Sequence, residues 1–136
     1  MRRILLARHG QTVANAAGRF QGKLDYPLTE KGYRQAQLLS TLLTYWHPGK
    51  IFTSDLQRSR ETAMPAAEAL GLKLTVSPLF REYSWGLLEG LTWPEIKERY
   101  PILFSQLQKD LRGTYIPGQE QLDSFRQRLR KGLALL

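Results

Sequence analysis

Cysteine is absent from the 136 residues. That excludes a disulfide framework and any thiolate metal site, and it fits a reducing, cytoplasmic setting. Long apolar runs are also missing. The stretch from Ile4 to Ala7 is too short for the apolar region of a signal peptide or for a membrane span, so no membrane partner is expected. There is no low-complexity tract, no internal repeat and no long linker, which predicts a single domain over residues 1–136 with one core. Acidic residues are outnumbered, 12 against 20 Lys and Arg, for a formal net charge of +8. Such a surplus raises the question of a nucleic acid or a membrane surface. The basic residues are scattered, however. Their densest group, Arg126, Arg128, Arg130 and Lys131, lacks the interleaved aromatics that stack bases and reads as a solvated helix face. Nucleic acid is therefore disfavoured, and an anionic small molecule plus ordinary surface accounts for the charge. The apolar share of 42% is that of a globular chain.

The pattern along the chain is that of an α/β domain. Arg3 to Ala7 reads as a short buried strand, followed by a polar, glycine-containing loop from His9 to Leu28. Thr29 is a good helix N-cap, with Tyr33, Ala36, Leu39, Leu43 and Trp46 following at spacings of three and four. His47-Pro48-Gly49 stops that helix. Lys50 to Thr53 is a second strand. Ser54-Asp55 offers the next N-cap, for a helix through Ala69 that ends at Gly71, with a kink predicted at Pro65. Leu72 to Val76 is a third strand. Strand, helix, strand, helix, strand argues a parallel sheet, with ligands at the carboxyl ends of its strands. Beyond Phe80, the aromatic stretch REYSWGLLEGLTW reads as a loop. Thr92 and Glu95 have capping-box spacing for a helix to Arg99. Pro101 to Leu111 predicts another helix, and Leu122, Phe125, Leu129, Leu133 and Leu136 form the apolar stripe of a last one.

Five ordered blocks carry a resemblance. They are LLARHGQTVAN at 5–15, GRFQGKLDYPLTEKGYRQA at 18–36, TSDLQRSRETA at 53–63, REYSWGLLEG at 81–90 and a weaker PGQEQLDSFRQR at 117–128. Together they resemble the histidine phosphatases, the phosphoglycerate mutase-like superfamily. The resemblance implies a three-layer α/β fold, with a mostly parallel sheet flanked by helices. It also implies hydrolysis of phosphomonoesters through a phosphohistidine, with no cofactor and no metal. His9 would be the nucleophile, which needs one ring nitrogen unprotonated and the other fixed by a hydrogen bond. Arg8 and Arg58 would clamp the phosphate, since guanidinium forks match its oxygens. Glu82 would protonate the leaving oxygen and then accept a proton from water; Glu89 is the rival carboxylate, to which the family pattern gives a structural role. Asn15, Gln21 and Gly22 match the phosphate loop, with Asn15 alternatively capping that loop. Thr29 and Gly32 read as helix-start residues. Thr62 could brace the helix near Arg58. Tyr83, Trp85 and Trp93 could line a substrate wall, although aromatics so spaced commonly pack in a core.

The resemblance also implies a second site histidine, on a strand after the last helix. The sequence stops at Leu136, and its other histidine, His47, should lie about 17 residues, or roughly 25 Å, along the helix from Thr29. The domain is therefore expected to be incomplete at its C-terminus, lacking the late strand and helices of the family. The open sheet edge that results would invite a homo-oligomer. Loss of one oxyanion-type donor costs about 100- to 1000-fold, so weak or undetectable phosphatase activity is expected. Two other readings remain. One is phosphoryl transfer of the phosphoglycerate mutase type, disfavoured by the short segment from Leu91 to Gly118. The other is a non-catalytic module that binds phosphate or a phosphorylated small molecule.

Overall fold

The computed structural model describes residues 3–136. The first long helix, α2, spans Glu30–Trp46 after a single turn, α1, at Val13–Ala16. Thr29 caps α2 by accepting from the Gly32 N–H at 3.1 Å. Its other end turns at His47, which is left-handed at φ 47° and exposed, before Pro48, which cannot continue a helix. Strand β1 (Ile51–Thr53) leads into α3 (Gln57–Leu70), which runs on through Pro65 and closes at Gly71. Strand β2 (Leu74–Val76) then pairs with β1 in parallel, Ile51 opposite Leu74 and Thr53 opposite Val76. Helix α2 lies against α3. Ala36 and Ser40 of α2 and Ala66 and Ala67 of α3 are buried, and such small side chains let helices pack closely.

The N-terminal strand is not formed. Among the described residues, β1 and β2 are the only strands, and Ile4, Leu5 and Leu6 are exposed. A strand exists only through a ladder to a neighbour, and no described segment pairs with Arg3–Ala7. The architecture is α/β with a short parallel sheet. The loop from His9 to Leu28 holds one unforeseen element, α1, whose Thr12 and Asn15 form a reciprocal capping box.

The second half is a helical layer. Helices α4 (Trp93–Arg99) and α5 (Pro101–Lys109) enclose a cluster of Leu88, Ile96, Leu107 and Ile116, each almost fully buried. Phe20, Trp85, Trp93 and Phe104 join that cluster edge-to-face, with centroids 5.3 to 5.8 Å apart. Trp85 thus packs on the core, whereas Trp93 meets Phe20 and Phe104 from an exposed position at its edge. Helix α6 (Leu122–Leu133) follows. Its stripe is only partly covered, since Leu122 and Leu133 stay exposed while Gly132 packs on Leu79 and Phe80.

The predicted capping box of α4 is present, and Glu95 also receives a bidentate fork from Arg19. The Thr92 amide and then the Arg19 guanidinium hold the Glu95 carboxyl down at about 2. A depressed acid stabilises the fold above its unfolded value of about 4.5 and loses that contribution as pH falls toward 2. In Glu95→Gln the fall of the urea midpoint between pH 5 and 2 should therefore be shallower than in the parent. Asp55 and Glu120, also depressed by arginine partners, should keep some slope in the variant.

Candidate active site

The segment carrying His9 is fixed from both sides. The Gly10 N–H donates to Thr62 Oγ1 at 3.0 Å, and that hydroxyl donates to the Arg58 carbonyl at 2.7 Å. Thr62 thus ties the histidine loop to the first turn of α3. On the other side, the Thr29 amide donates to the Gln11 carbonyl at 2.9 Å, and the Gln11 amide donates to Gln35 Oε1 at 2.8 Å. Both anchor the loop to the start of α2.

His9 Nδ1 lies 2.7 Å from the Gly10 carbonyl oxygen. A carbonyl only accepts, so Nδ1 carries the proton and Nε2 holds the lone pair. Burial pushes the imidazole below its ordinary value against the opposing Gly10 hydrogen bond, and the nearby Arg58 and Arg8 cations add to the lowering. The neutral ring is therefore favoured, as nucleophilic attack requires.

Arg58 is 1% exposed, an arginine among the most buried residues of the chain. Its Nη1 donates to the Leu24 carbonyl at 2.6 Å, and its Nη2 donates to the Gly22 carbonyl at 2.8 Å. Nη2 also lies 3.3 Å from Glu82 Oε2, and Nη1 lies 3.7 Å from Asp25 Oδ1. Its Nε is buried with no protein partner. Unpaired buried donors are rare because each forfeits its hydration; an anionic oxygen at this position would satisfy it.

Helix α3 is capped from elsewhere. Ser54-Asp55 was the expected N-cap, yet the cap residue is Leu56, which has no side-chain oxygen to offer. Asp25 supplies the acceptor instead, taking the Gln57 amide at 2.6 Å and the Arg58 amide at 3.5 Å. Asp55 is engaged by a bidentate fork from Arg81.

Of the four residues expected to carry chemistry, Arg58 and Glu82 meet directly, and both lie close enough for their charges to bear on the His9 imidazole. Arg8 precedes His9 in the chain and is exposed; its charge adds to the lowering at His9. The phosphate-loop candidates are connected differently. Gly22 touches Arg58 through its carbonyl. Gln21 is buried, with Oε1 2.8 Å from Thr12 Oγ1. Asn15 Oδ1 accepts from the Thr12 amide in the α1 cap, which leaves its Nδ2 as a donor. Glu89 is structural: its Oε1 accepts from the Ser84 hydroxyl at 2.8 Å and the Trp85 amide at 2.9 Å. His47 lies at the far end of α2, away from this group. Among the described residues, no cluster of three His, Asp or Glu could hold a metal ion, and no helix is long and apolar enough to cross a membrane.

One participant was hidden in the basic run. Arg128 is not on a solvated face: its side chain is 18% exposed and locked to Glu120, and it donates to the backbone carbonyls of Leu79, Arg81 and Glu82. Nothing local distinguishes it from Arg126 or Arg130; the pair joins the residue just before the α6 N-cap to the second turn of that helix.

Comparison with known proteins bears on the family and the fold. Residues 4–136 match the family model described as histidine phosphatase superfamily (branch 1). A Yersinia pestis protein named as a probable phosphoglycerate mutase GpmB is 35% identical over 133 residues, which cover 98% of this chain and 62% of the relative. A mycobacterial glucosyl-3-phosphoglycerate phosphatase, solved in complex with VO3, superposes with a TM-score of 0.82 at 35% identity, over 94% of this chain and 61% of that one. The α-ribazole phosphatase of Shigella flexneri superposes with a TM-score of 0.81 at 28% identity, over 93% and 62%. The chain thus spans a little over three-fifths of the length of these relatives.

Proposed function

Because the chain belongs to the histidine phosphatase superfamily, we propose that it hydrolyses a phosphomonoester of a small polar molecule through a phosphohistidine on His9. The observation that carries this reading is the buried Arg58 guanidinium, with an unpaired Nε, acting on a His9 whose Nδ1 is already committed to the Gly10 carbonyl.

In the first step the Nε2 lone pair of His9 attacks phosphorus and the ester P–O bond breaks. The electron pair stays on the departing oxygen, which takes the proton of the Glu82 carboxyl. The positive imidazole that results keeps its Nδ1–H on the Gly10 carbonyl. Arg8 and Arg58 balance the charge on the non-bridging oxygens. In the second step water attacks phosphorus, the Glu82 carboxylate takes the water proton, and the P–N electron pair returns to Nε2. Inorganic phosphate leaves. Asn15, Gln21 and Gly22 belong to the loop around the phosphate in this reading.

Incubation with radiolabelled p-nitrophenyl phosphate, followed by alkaline quenching, should trap label on His9, and His9→Ala should trap none. Label retained in His9→Ala would refute the proposal. The pH dependence is a second check. With its value lowered, His9 stays neutral below pH 6.5, so phosphoenzyme formation should hold its rate through pH 6.5 and fall only at more acid pH. The unfolded chain takes this proton first, so His9 costs the fold stability as pH drops below about 6.5. A mutase reading is favoured by the name of the Yersinia pestis relative. It differs in the second step, where a substrate hydroxyl replaces water, and 3-phosphoglycerate would then be isomerised rather than dephosphorylated.

A further inference from the structure

The carboxyl of Glu82 comes from a segment without regular structure, Arg81 to Trp85, and its side chain is 41% exposed. Neither packing nor a helix fixes it. What fixes its backbone is one side chain of α6. Arg128 Nη1 donates to the carbonyls of Leu79 at 3.0 Å and Arg81 at 2.7 Å, and Nη2 donates to the Glu82 carbonyl at 2.9 Å. The remaining donors, Nε and the second Nη2 proton, go to the two oxygens of Glu120 at 2.6 and 2.9 Å. A guanidinium has five N–H groups, and here each has an acceptor.

Glu120 is itself fixed to the same segment. Its amide donates to the Ser84 carbonyl at 3.0 Å, and its Oε2 accepts from the Ser84 amide at 3.4 Å. The Arg128 cation also lies 4.8 Å from the centre of the Phe125 ring, and that ring meets Tyr83 edge-to-face at 5.4 Å. The backbone on both sides of Glu82 and the Tyr83 ring are therefore held from α6 and from Glu120 just before it. A lysine could not replace this fork, because its donors all radiate from one nitrogen.

We infer that Arg128 is a positioning residue that sets the Glu82 carboxyl against the Arg58 clamp, with Glu120 orienting its guanidinium. This rests on the phosphatase reading above, in which Glu82 protonates the leaving oxygen. Arg128 touches no reacting atom; it acts through Glu82.

The test compares leaving groups in the full chain. p-Nitrophenolate departs without a proton, whereas the alkoxide of β-glycerophosphate needs one. The readout is phosphohistidine formation, because in the second step Glu82 serves as base whichever alcohol has left. Arg128→Lys should slow its formation from β-glycerophosphate about 100-fold, the low end of what a positioned acid contributes, with formation from p-nitrophenyl phosphate within about threefold. The substrate concentration that gives half the maximal rate of this step should not move for either substrate. In a Glu82→Gln background Arg128→Lys should add no further loss, since both changes remove the same function. Arg126→Lys, an exposed neighbour on the same helix, should leave both rates alone. Equal slowing of both substrates, or full additivity with Glu82→Gln, would overturn the assignment. If Arg128→Lys does not fold, Glu120→Gln, which keeps an acceptor but no charge, should give the same leaving-group asymmetry in weaker form; symmetric rates there overturn it as well. If the parent chain turns over neither substrate, the phosphatase reading fails by itself. Amide exchange then decides the positioning: the Ser84 and Glu120 amides should exchange about tenfold faster in Arg128→Lys, through local opening, and unchanged exchange overturns the assignment.

Discussion

Arg58→Met should cost the chain about 3 kcal/mol of stability and lower the rate of phosphohistidine formation at least about 100-fold. Methionine has nearly the length of the arginine stem, so the cost is not a cavity. It arises from the acceptors left behind. The Gly22 and Leu24 carbonyls both lose a charged donor. Gly22 is buried, so water cannot readily replace what its carbonyl loses, and hydrogen bonds to a charged group contribute about 1.5–3 kcal/mol each. Asp25 and Glu82 add little, because both are about a third or more exposed and solvent screens them. The catalytic loss has a different origin. The cation that offsets phosphate charge disappears, and so does one of the charges that keep His9 neutral. The acid limb of the pH–rate profile should accordingly move up toward the ordinary histidine value. Urea unfolding measures the first effect, and rapid-quench phosphoenzyme formation measures the second. Arg58→Lys should fall between, since a single ammonium can reach one carbonyl but not fork across both. A Met variant as stable as the parent would mean that the guanidinium does not hold the Gly22–Leu24 turn.

The contrast between Arg58 and Arg128 marks what a linear reading can recover. Helix α2 is legible because its signals are local: a Thr29 cap, apolar positions three and four apart, and His47-Pro48 at the end. The α4 capping box is local too. His9, Arg8, Arg58 and Glu82 were reachable through the ordered motif blocks, and the fold brings His9, Arg58 and Glu82 together at the start of α3. What escaped were the partnerships across long stretches of chain. Asp25 caps α3 from 32 residues away, where the sequence offered Ser54-Asp55 as an adequate neighbour. Arg128 reaches the Glu82 carbonyl across 46 residues, yet in sequence it is one cation among several. Arg3–Ala7 failed in the opposite direction. Its composition is that of a buried strand, but strand formation depends on a neighbour that composition cannot supply.

Gly32→Ala should have the second largest effect, and in the direction opposite to helix propensity. Alanine in place of glycine inside an exposed helix stabilises by about 1 kcal/mol, and Gly32 lies in the first turn of α2. A Cβ there would meet the backbone carbonyl of Gln11 far inside van der Waals distance, and a Cβ on Gly10 would stand 2.5 Å from the Gly32 carbonyl oxygen. The two glycines let the histidine loop lie directly on the start of α2. Backbone cannot rotate away as a side chain can, so the loop must move as a unit. That breaks the Thr29–Gln11 hydrogen bond and loosens the support of His9 on that side. Overpacking of this kind costs about 1–3 kcal/mol, and a net loss near 2 kcal/mol is expected from the urea midpoint, together with slower labelling of His9. Gly49→Ala provides the control. A Cβ there meets nothing within 4 Å, and its φ is not positive, so it should be neutral or stabilise by up to about 1 kcal/mol by restricting the unfolded chain. A Gly32→Ala variant that gained stability as Gly49→Ala does would show that the loop carrying His9 is not seated on α2, and the fixed Nδ1 geometry from which its nucleophilicity follows would lose its support.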